Sequence, residues 1–338
     1  MPRRRTNLMR HIQFPVDVLR SINGDELIQY KLNNVRSNGR NYTINGFTVV
    51  QDGIFWSEEI EQVFPRGPSV ESFYSISSRM QFSNFNVIHM DGRFCGDWSS
   101  PNNARVTLSD GTRWCARYKP PCFILDELMA YYFSLMMHMN YIPPVILTKP
   151  DPSTPQWESE FVHGFLERKK WDPNNIITMT KWIPNLRDRV LYLHRNKFEY
   201  TGDNIWLHNL FYDKTRKPWM LDNEMSFLLG HIFQIPPHAP LTGILKSVCI
   251  FRRQTVEMVF KLHAHKNIPR LLWKVVNEHL GPLDFEWNPQ KPTTCELYDK
   301  RYTVDWANAF TERIEEAYMW IKRCSEAGYE SLLNDMKT

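Results

Sequence analysis

The sequence predicts an α+β fold with a β-rich first half and a helical second half. Short β-prone runs alternate with turn signals between Asn86 and Tyr118, and the Asp110-Gly111 dipeptide is typical of a hairpin between two of these runs. Beyond residue 222 the apolar residues instead recur at helical spacing. Strands gathered in one half of a chain and helices in the other indicate the α+β class.

Strands and helices are predicted in a definite order. The strands are Asn86–Met90, Arg105–Leu108, Trp114–Tyr118, Glu160–Leu166 and Ile176–Ile183. The helices are Ile124–Asn140, Gln254–His265, Ile268–Leu280 and Val304–Glu326. This order divides the chain into four parts. They are an irregular region at 1–50, a β-rich part with one long helix at 51–145, strands and a connection at 146–186, and a helical part at 187–330.

The composition allows a large packed domain and argues against nucleic acid as a partner. The chain has 338 residues, of which 42% are hydrophobic and 23% charged. Its net charge of +4 is mild, and no stripe of Lys and Arg marks a nucleic-acid surface. No apolar run is long enough to span a bilayer, and the basic start, Met1 to Thr6, is not followed by a signal-peptide core.

The six cysteines exclude a simple zinc motif, because no two form a Cys-x-x-Cys pair. They are either disulfide-bonded in an oxidising lumen or buried free thiols, and the sequence leaves both open. One glycosylation sequon, Asn41-Tyr42-Thr43, has meaning only in a secretory compartment.

An acidic group follows a short apolar strand at Pro218-Trp219-Met220, in the run Leu221-Asp222-Asn223-Glu224. A strand that ends in an Asp can hold Mg²⁺ or Mn²⁺ against the phosphates of a nucleotide, because hard cations prefer carboxylate oxygens. Taken alone, such an Asp is more often an ordinary turn residue at a strand end.

Three further segments accompany this acidic run in the order of a known family. They are Gly53-Ile54-Phe55-Trp56-Ser57-Glu58, Lys181-Trp182-Ile183-Pro184-Asn185-Leu186 and Ser247-Val248-Cys249-Ile250-Phe251-Arg252. Together the four segments closely resemble the four-jointed box kinases, which are protein kinases of the Golgi lumen, over about Gly53 to Cys324. The resemblance implies a two-lobed, protein-kinase-like fold of the atypical secretory type, with a β-rich N-terminal lobe and a helical C-terminal lobe.

The resemblance also implies a nucleotide site. Arg117 occupies the strand position where most kinases place a lysine, and Glu127 is its partner on the next helix or, alternatively, a metal ligand. Arg can grip phosphate oxygens with two parallel hydrogen bonds. Ser99 and Ser100 lie in a segment similar to the family's phosphate-covering loop, although a plain turn is the alternative. Without the resemblance, Arg117 and Glu127 would be an exposed strand Arg and a helix-starting Glu.

The expected catalytic loop departs from the family pattern. Phe198-Glu199-Tyr200 and Asn209-Leu210-Phe211 match it, but the segment between them is shorter and lacks the family's Asp-Arg pair. Asn204 falls where the catalytic Asp belongs, and it cannot accept a proton. We therefore expect Asp203 to act as the base. Asp222 is expected to hold the metal, with Asn209 as a second ligand.

The expectation is thus a Ser/Thr protein kinase, located in the Golgi lumen or secreted. It would use ATP with Mn²⁺ or Mg²⁺ to phosphorylate extracellular cadherin domains of the Fat and Dachsous type, in planar cell polarity and growth control. Family members are anchored or secreted, and the start of this sequence departs from them. Either the sequence is incomplete at its N-terminus and lacks the anchor, which we expect, or the protein stays in the cytosol. The alternatives are a pseudokinase that serves as a binding module and a Golgi glycosyltransferase, although the latter usually needs an Asp-x-Asp motif that is absent.

Overall fold

The computed structural model describes residues 41–63, 85–92, 103–119, 121–136, 141–188, 210–215, 217–221, 249–265, 268–269, 272 and 306–327. Within these ranges no helix is both long enough and apolar enough to cross a membrane. The secondary structure is mixed, and its sheets are antiparallel. This agrees with the predicted α+β class.

In chain order the described elements are β1 (Tyr42–Ile44), β2 (Phe47–Gln51), β3 (Phe55–Trp56), α1 (Glu58–Val63), β4 (Val87–Asp91), β5 (Asn103–Leu108), β6 (Arg113–Arg117), α2 (Pro121–Met136), β7 (Val145–Thr148), α3 (Glu160–Lys169), β8 (Ile177–Lys181), β9 (Arg187–Asp188), β10 (Leu210–Tyr212), β11 (Pro218–Met220), α4 (Arg253–Ala264) and α5 (Trp306–Ala327).

A five-stranded sheet in the order β4-β5-β6-β8-β7 forms the centre of the fold. The predicted hairpin joins β5 to β6, and it is confirmed. Asp110 Oδ1 accepts hydrogen bonds from the Thr112 amide at 2.8 Å and the Thr112 hydroxyl at 2.7 Å, while Gly111 takes a φ of +79°. These local bonds explain why a two-residue sequence signal was enough to locate the turn.

The central sheet is covered on both faces. One face is apolar and packs against α3 through residues that include Ala104, Ala116 and Met179. The opposite face lies under α2, which is buried around most of its circumference and packs with α4 and α5 in a second core. The helix predicted over Ile124–Asn140 is therefore confirmed in its described part, and it starts at Pro121, a favoured first helical residue.

The predicted strand at Glu160–Leu166 is wrong, because these residues begin the helix α3. Its buried residues Val162, Phe165 and Leu166 follow the i, i+3, i+4 spacing of a helix face. The helix ends at Lys170, whose left-handed φ of 54° places its amide to donate to Glu167. The short apolar run was compatible with the two-residue period of a strand and with the 3.6-residue period of a helix. Packing against the sheet favours the helix.

The region before residue 51 is not wholly irregular, so that prediction is also corrected. β1 and β2 form a hairpin around Asn45 and Gly46, whose φ angles of 49° and 84° suit a tight turn of the primed type. The Asn-Gly pair was the available signal. Tyr42, Ile44 and Phe47 remain exposed in this hairpin, so it lacks the buried alternating face that usually reveals a strand.

The segment before α4 ties distant parts of the chain together. The Phe251 amide donates to the Ile54 carbonyl at 2.7 Å, and the Trp56 amide donates to the Phe251 carbonyl at 3.0 Å. Glu61 of α1 accepts from the Arg253 amide at 2.9 Å at the start of α4. Two of the segments that carried the family resemblance therefore pair directly, although almost 200 residues separate them.

A disulfide links Cys249, just before α4, to Cys324 in α5. Both residues are buried in the core that α2, α4 and α5 share. Cys115 of β6 is also disulfide-bonded. The sequence left disulfides and buried thiols as alternatives, and the structure favours disulfides at these three cysteines.

Replacing both Cys249 and Cys324 by Ala should lower the free energy of unfolding by about 2–4 kcal/mol, since the bridge closes a long loop in the unfolded chain. Urea unfolding under oxidising conditions measures this loss. After full reduction the variant and the parent protein should become nearly equal in stability. A difference that persists after reduction would show that lost packing, and not the bridge, is responsible.

Candidate functional site

The face of the central sheet beneath α2 is unusually polar. Its side chains on β5, β6 and β8 are Asn103, Arg105, Thr107, Arg113, Cys115, Arg117, Thr178 and Thr180, whereas the opposite face of these strands is apolar except for Lys181. Sheet faces of this composition normally contact water. Here Asn103, Arg117 and Thr178 are buried. A polar surface enclosed between a sheet and a helix is a candidate binding site.

Arg117 and Glu127 form a buried ion pair on this face. Arg117 is the last residue of β6, and Glu127 lies in the second turn of α2. The Nη1–Oε1 distance is 2.8 Å, and the side chains are 9% and 2% exposed. A buried charge requires a partner, because leaving water costs several kcal/mol per ion. The pair therefore fixes α2 relative to the sheet.

The same pair can also contribute to ligand binding. A guanidinium group carries five N–H donors in a fixed planar arrangement, which suits the simultaneous binding of a carboxylate and an anionic ligand. Glu127 holds the orientation of Arg117, so the cation needs little reorganisation when an anion arrives. A phosphate group matches this chemistry, since Arg commonly binds phosphate through two parallel hydrogen bonds.

The hairpin of β10 and β11 lies in sequence between Asn209 and Asp222, the two predicted metal ligands. Leu210 pairs with Met220 at its open end, and the Met220 amide donates to the Tyr141 carbonyl at 2.6 Å. Asn209 directly precedes this hairpin in the sequence, and Asp222 follows it after Leu221. The strand predicted before Asp222 is thus present as β11.

Asp213 organises the turn of this hairpin. Its carboxylate accepts from the Thr215 hydroxyl at 2.6 Å, the Thr215 amide at 2.8 Å, the Lys217 amide at 3.1 Å and the Trp219 indole at 3.0 Å. Desolvation raises the pKa of Asp213, but these four hydrogen bonds together outweigh it and hold the pKa below its ordinary value. Sequence analysis overlooked Asp213, although Asp at the start of a turn was the signal.

Of the predicted site residues, the structure brings together Arg117 and Glu127. Ser99, Ser100, Asp203, Asn209 and Asp222 lie outside the described residues. Among the residues that are described, no group of three or more His, Cys, Asp or Glu side chains could hold a metal ion. The polar residues Asn103 and Thr178 were missed, although their alternation with apolar neighbours along each strand was visible in the sequence.

Replacing Glu127 by Gln should destabilise the protein by about 3 kcal/mol, because the buried guanidinium loses its counter-charge. The double variant Arg117→Met/Glu127→Leu should regain much of that loss, since it removes both charges. Chemical unfolding measures all three proteins. Glu326→Gln is the control, because the Lys322–Glu326 pair is exposed and should matter by less than about 0.5 kcal/mol. Equal losses in Glu127→Gln and the control would contradict a structural role for the pair.

Lys217 should give the protein a measurable pH dependence. Its ammonium group lies 3.6 Å above the Trp219 ring. Burial lowers its pKa from 10.5 to about 8, against the opposing effect of Asp213. Between about pH 8 and 10.5 the unfolded chain binds a proton at Lys217 that the folded protein does not bind. The contribution of Lys217 to the free energy of unfolding therefore rises with pH across that window. The unfolding free energy of the parent protein should rise relative to Lys217→Met from pH 8 upward. A difference independent of pH would contradict the shifted pKa.

Comparison with known proteins identifies relatives over most of the sequence. The profile of the four-jointed box protein middle domain matches residues 75–201 and 188–327. The two matched segments overlap over residues 188–201, which border the shortened catalytic loop that we expect. No solved structure matches the chain significantly.

Curated relatives carry the same family name. Four-jointed box protein 1 of Xiphophorus maculatus is 23% identical over an alignment 329 positions long, which covers 82% of this chain and 72% of the relative. The human protein of that name is 28% identical over an alignment 286 positions long, which covers 68% of this chain and 64% of the relative. The extracellular serine/threonine protein kinase four-jointed of Drosophila melanogaster is 26% identical over 138 residues, 40% of this chain and 22% of the relative. Since the profile match extends over most of the sequence, the chain belongs to the four-jointed box protein family.

Proposed function

We propose that the chain is a Ser/Thr protein kinase of the secretory pathway, which transfers the γ-phosphate of ATP to extracellular protein domains. The observation that carries the proposal is the buried ion pair between Arg117 and Glu127. Protein kinases require an ion pair between a strand lysine and a glutamate of the following helix to order the nucleotide phosphates. In this proposal Arg117 on β6 and Glu127 on the following helix α2 take the places of that lysine and glutamate.

The arrangement of the central sheet supports a kinase-like small lobe. Its five strands are antiparallel, the cation lies at the end of the middle strand β6, and α2 follows at once. The hairpin of β10 and β11 would connect this lobe to a larger helical one, in which α4 and α5 belong. The Drosophila relative, whose name describes an extracellular serine/threonine kinase, supports the same activity.

The cysteines support a location in the Golgi lumen or outside the cell. Disulfides persist in oxidising compartments and are rare in the cytosol. Cys249 and Cys324 are bridged, and Cys115 is bonded as well. In such a compartment the substrates would be secreted or membrane-displayed domains. We propose extracellular cadherin domains of the Fat and Dachsous type, with planar cell polarity and growth as the process, on the basis of the family resemblance.

The proposed division of roles follows the chemistry of each side chain. Asp222 and Asn209 carry oxygen donors suited to Mn²⁺ or Mg²⁺, and the paired ends of β10 and β11 lead to both. A cation held there would neutralise charge on the phosphates of ATP. Arg117, oriented by Glu127, would bind phosphate oxygens, with Ser99 and Ser100 donating further hydrogen bonds. Asp203 would accept the proton of the substrate hydroxyl.

A pseudokinase is the second candidate, and a specific observation favours it. The segment between Tyr200 and Asn209 lacks the Asp-Arg pair, and the family match is divided near this segment, at 188–201. Asn204 cannot serve as a base. A chain with this loop would keep nucleotide binding through Arg117 and lose phosphoryl transfer. It would then act as a binding module for cadherin domains or for an active kinase.

The proposal is tested by Mn²⁺-dependent transfer of labelled γ-phosphate from ATP to a secreted cadherin-repeat protein. Asp222→Ala should abolish transfer because the metal loses its main ligand, and Asp203→Asn should lower it by at least about 100-fold because the base is lost. Asp213→Asn is the matched control, since Asp213 serves the hairpin turn; it should retain most of the transfer.

The outcomes separate the two candidates. Binding of ATP with Mn²⁺ but no transfer would favour the pseudokinase, and Asn204→Asp should then create activity if the loop alone is defective. Failure of the parent protein to bind ATP with either Mn²⁺ or Mg²⁺ would reject both candidates.

A further inference from the structure

Three polar residues form a straight row across the centre of the sheet. Asn103 of β5 is the cross-strand partner of Arg117 of β6, and Arg117 is the partner of Thr178 of β8. Directly opposed residues of adjacent antiparallel strands point to the same face, with their Cβ atoms about 5 Å apart. Arg117 meets Glu127 of α2, so the whole row faces α2.

Two atoms of this row are buried without a hydrogen-bond partner. Asn103 is 3% exposed and Thr178 is fully buried. Across the described part of the chain, Asn103 Oδ1 and Thr178 Oγ1 are among the few buried side-chain nitrogen and oxygen atoms that have no hydrogen-bond partner. Both flank the same cation. A buried polar group left unpaired destabilises a fold, and the large majority of such groups are satisfied.

The apolar side of the same strands shows that the fold does not require polar residues here. The neighbouring row on the α3 side consists of Ala104, Ala116 and Met179, paired in the same way. Val or Leu at positions 103 and 178 would fill similar volumes without an unpaired polar atom. A ligand that completes the missing hydrogen bonds explains why both positions are polar.

We propose that Asn103 and Thr178 are ligand-binding residues that contact the nucleoside part of a nucleoside triphosphate. Arg117, between them, would bind its phosphates. The amide of Asn103 and the hydroxyl of Thr178 can each donate and accept, which suits the hydroxyl and amino groups of a ribose and a base. This assignment deepens the proposed function and rests on it.

The variants Thr178→Val and Asn103→Leu test the assignment through two measurements. The melting temperature should rise, whereas the affinity for ATP should fall. Each change removes an unpaired buried group, so the melting temperature of the free protein should rise by about 2–4 °C. Each should also weaken binding of ATP with Mn²⁺ by about 3- to 10-fold, because a hydrogen bond of the complex is lost. Binding of inorganic tripolyphosphate with Mn²⁺ should stay unchanged. Calorimetric titration and thermal unfolding of the full chain provide the measurements.

Thr154→Val is the matched control. The Thr154 hydroxyl donates to the Asp151 carbonyl at 2.7 Å, in a segment that packs on the other side of the sheet. The melting temperature should therefore fall, and ATP affinity should not change.

Several results would overturn the inference. A lower melting temperature in Thr178→Val and Asn103→Leu would mean that these groups bond within the protein. Unchanged ATP affinity in both would remove them from the site while leaving the proposed function intact. Equal weakening of ATP and tripolyphosphate would place the contacts on phosphate and reject the nucleoside assignment. If the parent protein itself fails to bind ATP, the proposed function fails first.

Discussion

Burial of the Arg117–Glu127 pair is the constraint on which the architecture around the site depends. Neither charge can remain in the interior alone, so α2 must stay in register with the end of β6. Apolar packing of α2 against α4 and α5 then closes one core, and α3 closes another on the opposite side of the sheet. An electrostatic requirement at one point thus sets the position of α2 on the sheet, and through α2 the positions of α4 and α5.

The segments shared with the four-jointed box family meet around this centre. Phe251 pairs with the strand that contains Phe55, Trp182 donates to the carbonyl of Arg113 at 2.9 Å, and Met220 bonds to Tyr141 beside β7. The Cys249–Cys324 bridge joins the segment before α4 to α5. These bonds join parts of the chain that are far apart in sequence.

The site combines two kinds of group that normally avoid burial: a charge with its counter-charge, and neutral polar atoms without partners. The ion pair satisfies its own charges, whereas the neutral polar atoms would gain hydrogen bonds from the ligand that we propose. This distinction separates questions of binding from questions of chemistry. In the proposed function, Arg117 and its neighbours in the sheet would serve nucleotide binding, while the departure of the catalytic loop near Asn204 would affect phosphoryl transfer. A pseudokinase and an active kinase would both bind the nucleotide, and they would differ in phosphoryl transfer.

The sequence by itself determined the features that arise from local interactions. The hairpin at Asp110-Gly111, the long helix after Pro121 and the strand before Asp222 all follow from turn chemistry and periodicity over a few residues. The family followed from four short segments in order. Only the tertiary structure decided that Glu160–Lys169 is a helix, that Cys249 pairs with Cys324, and that Asn103 and Thr178 flank Arg117. These depend on which surfaces meet across long stretches of chain, and burial overrides local preference there because it involves larger free energies.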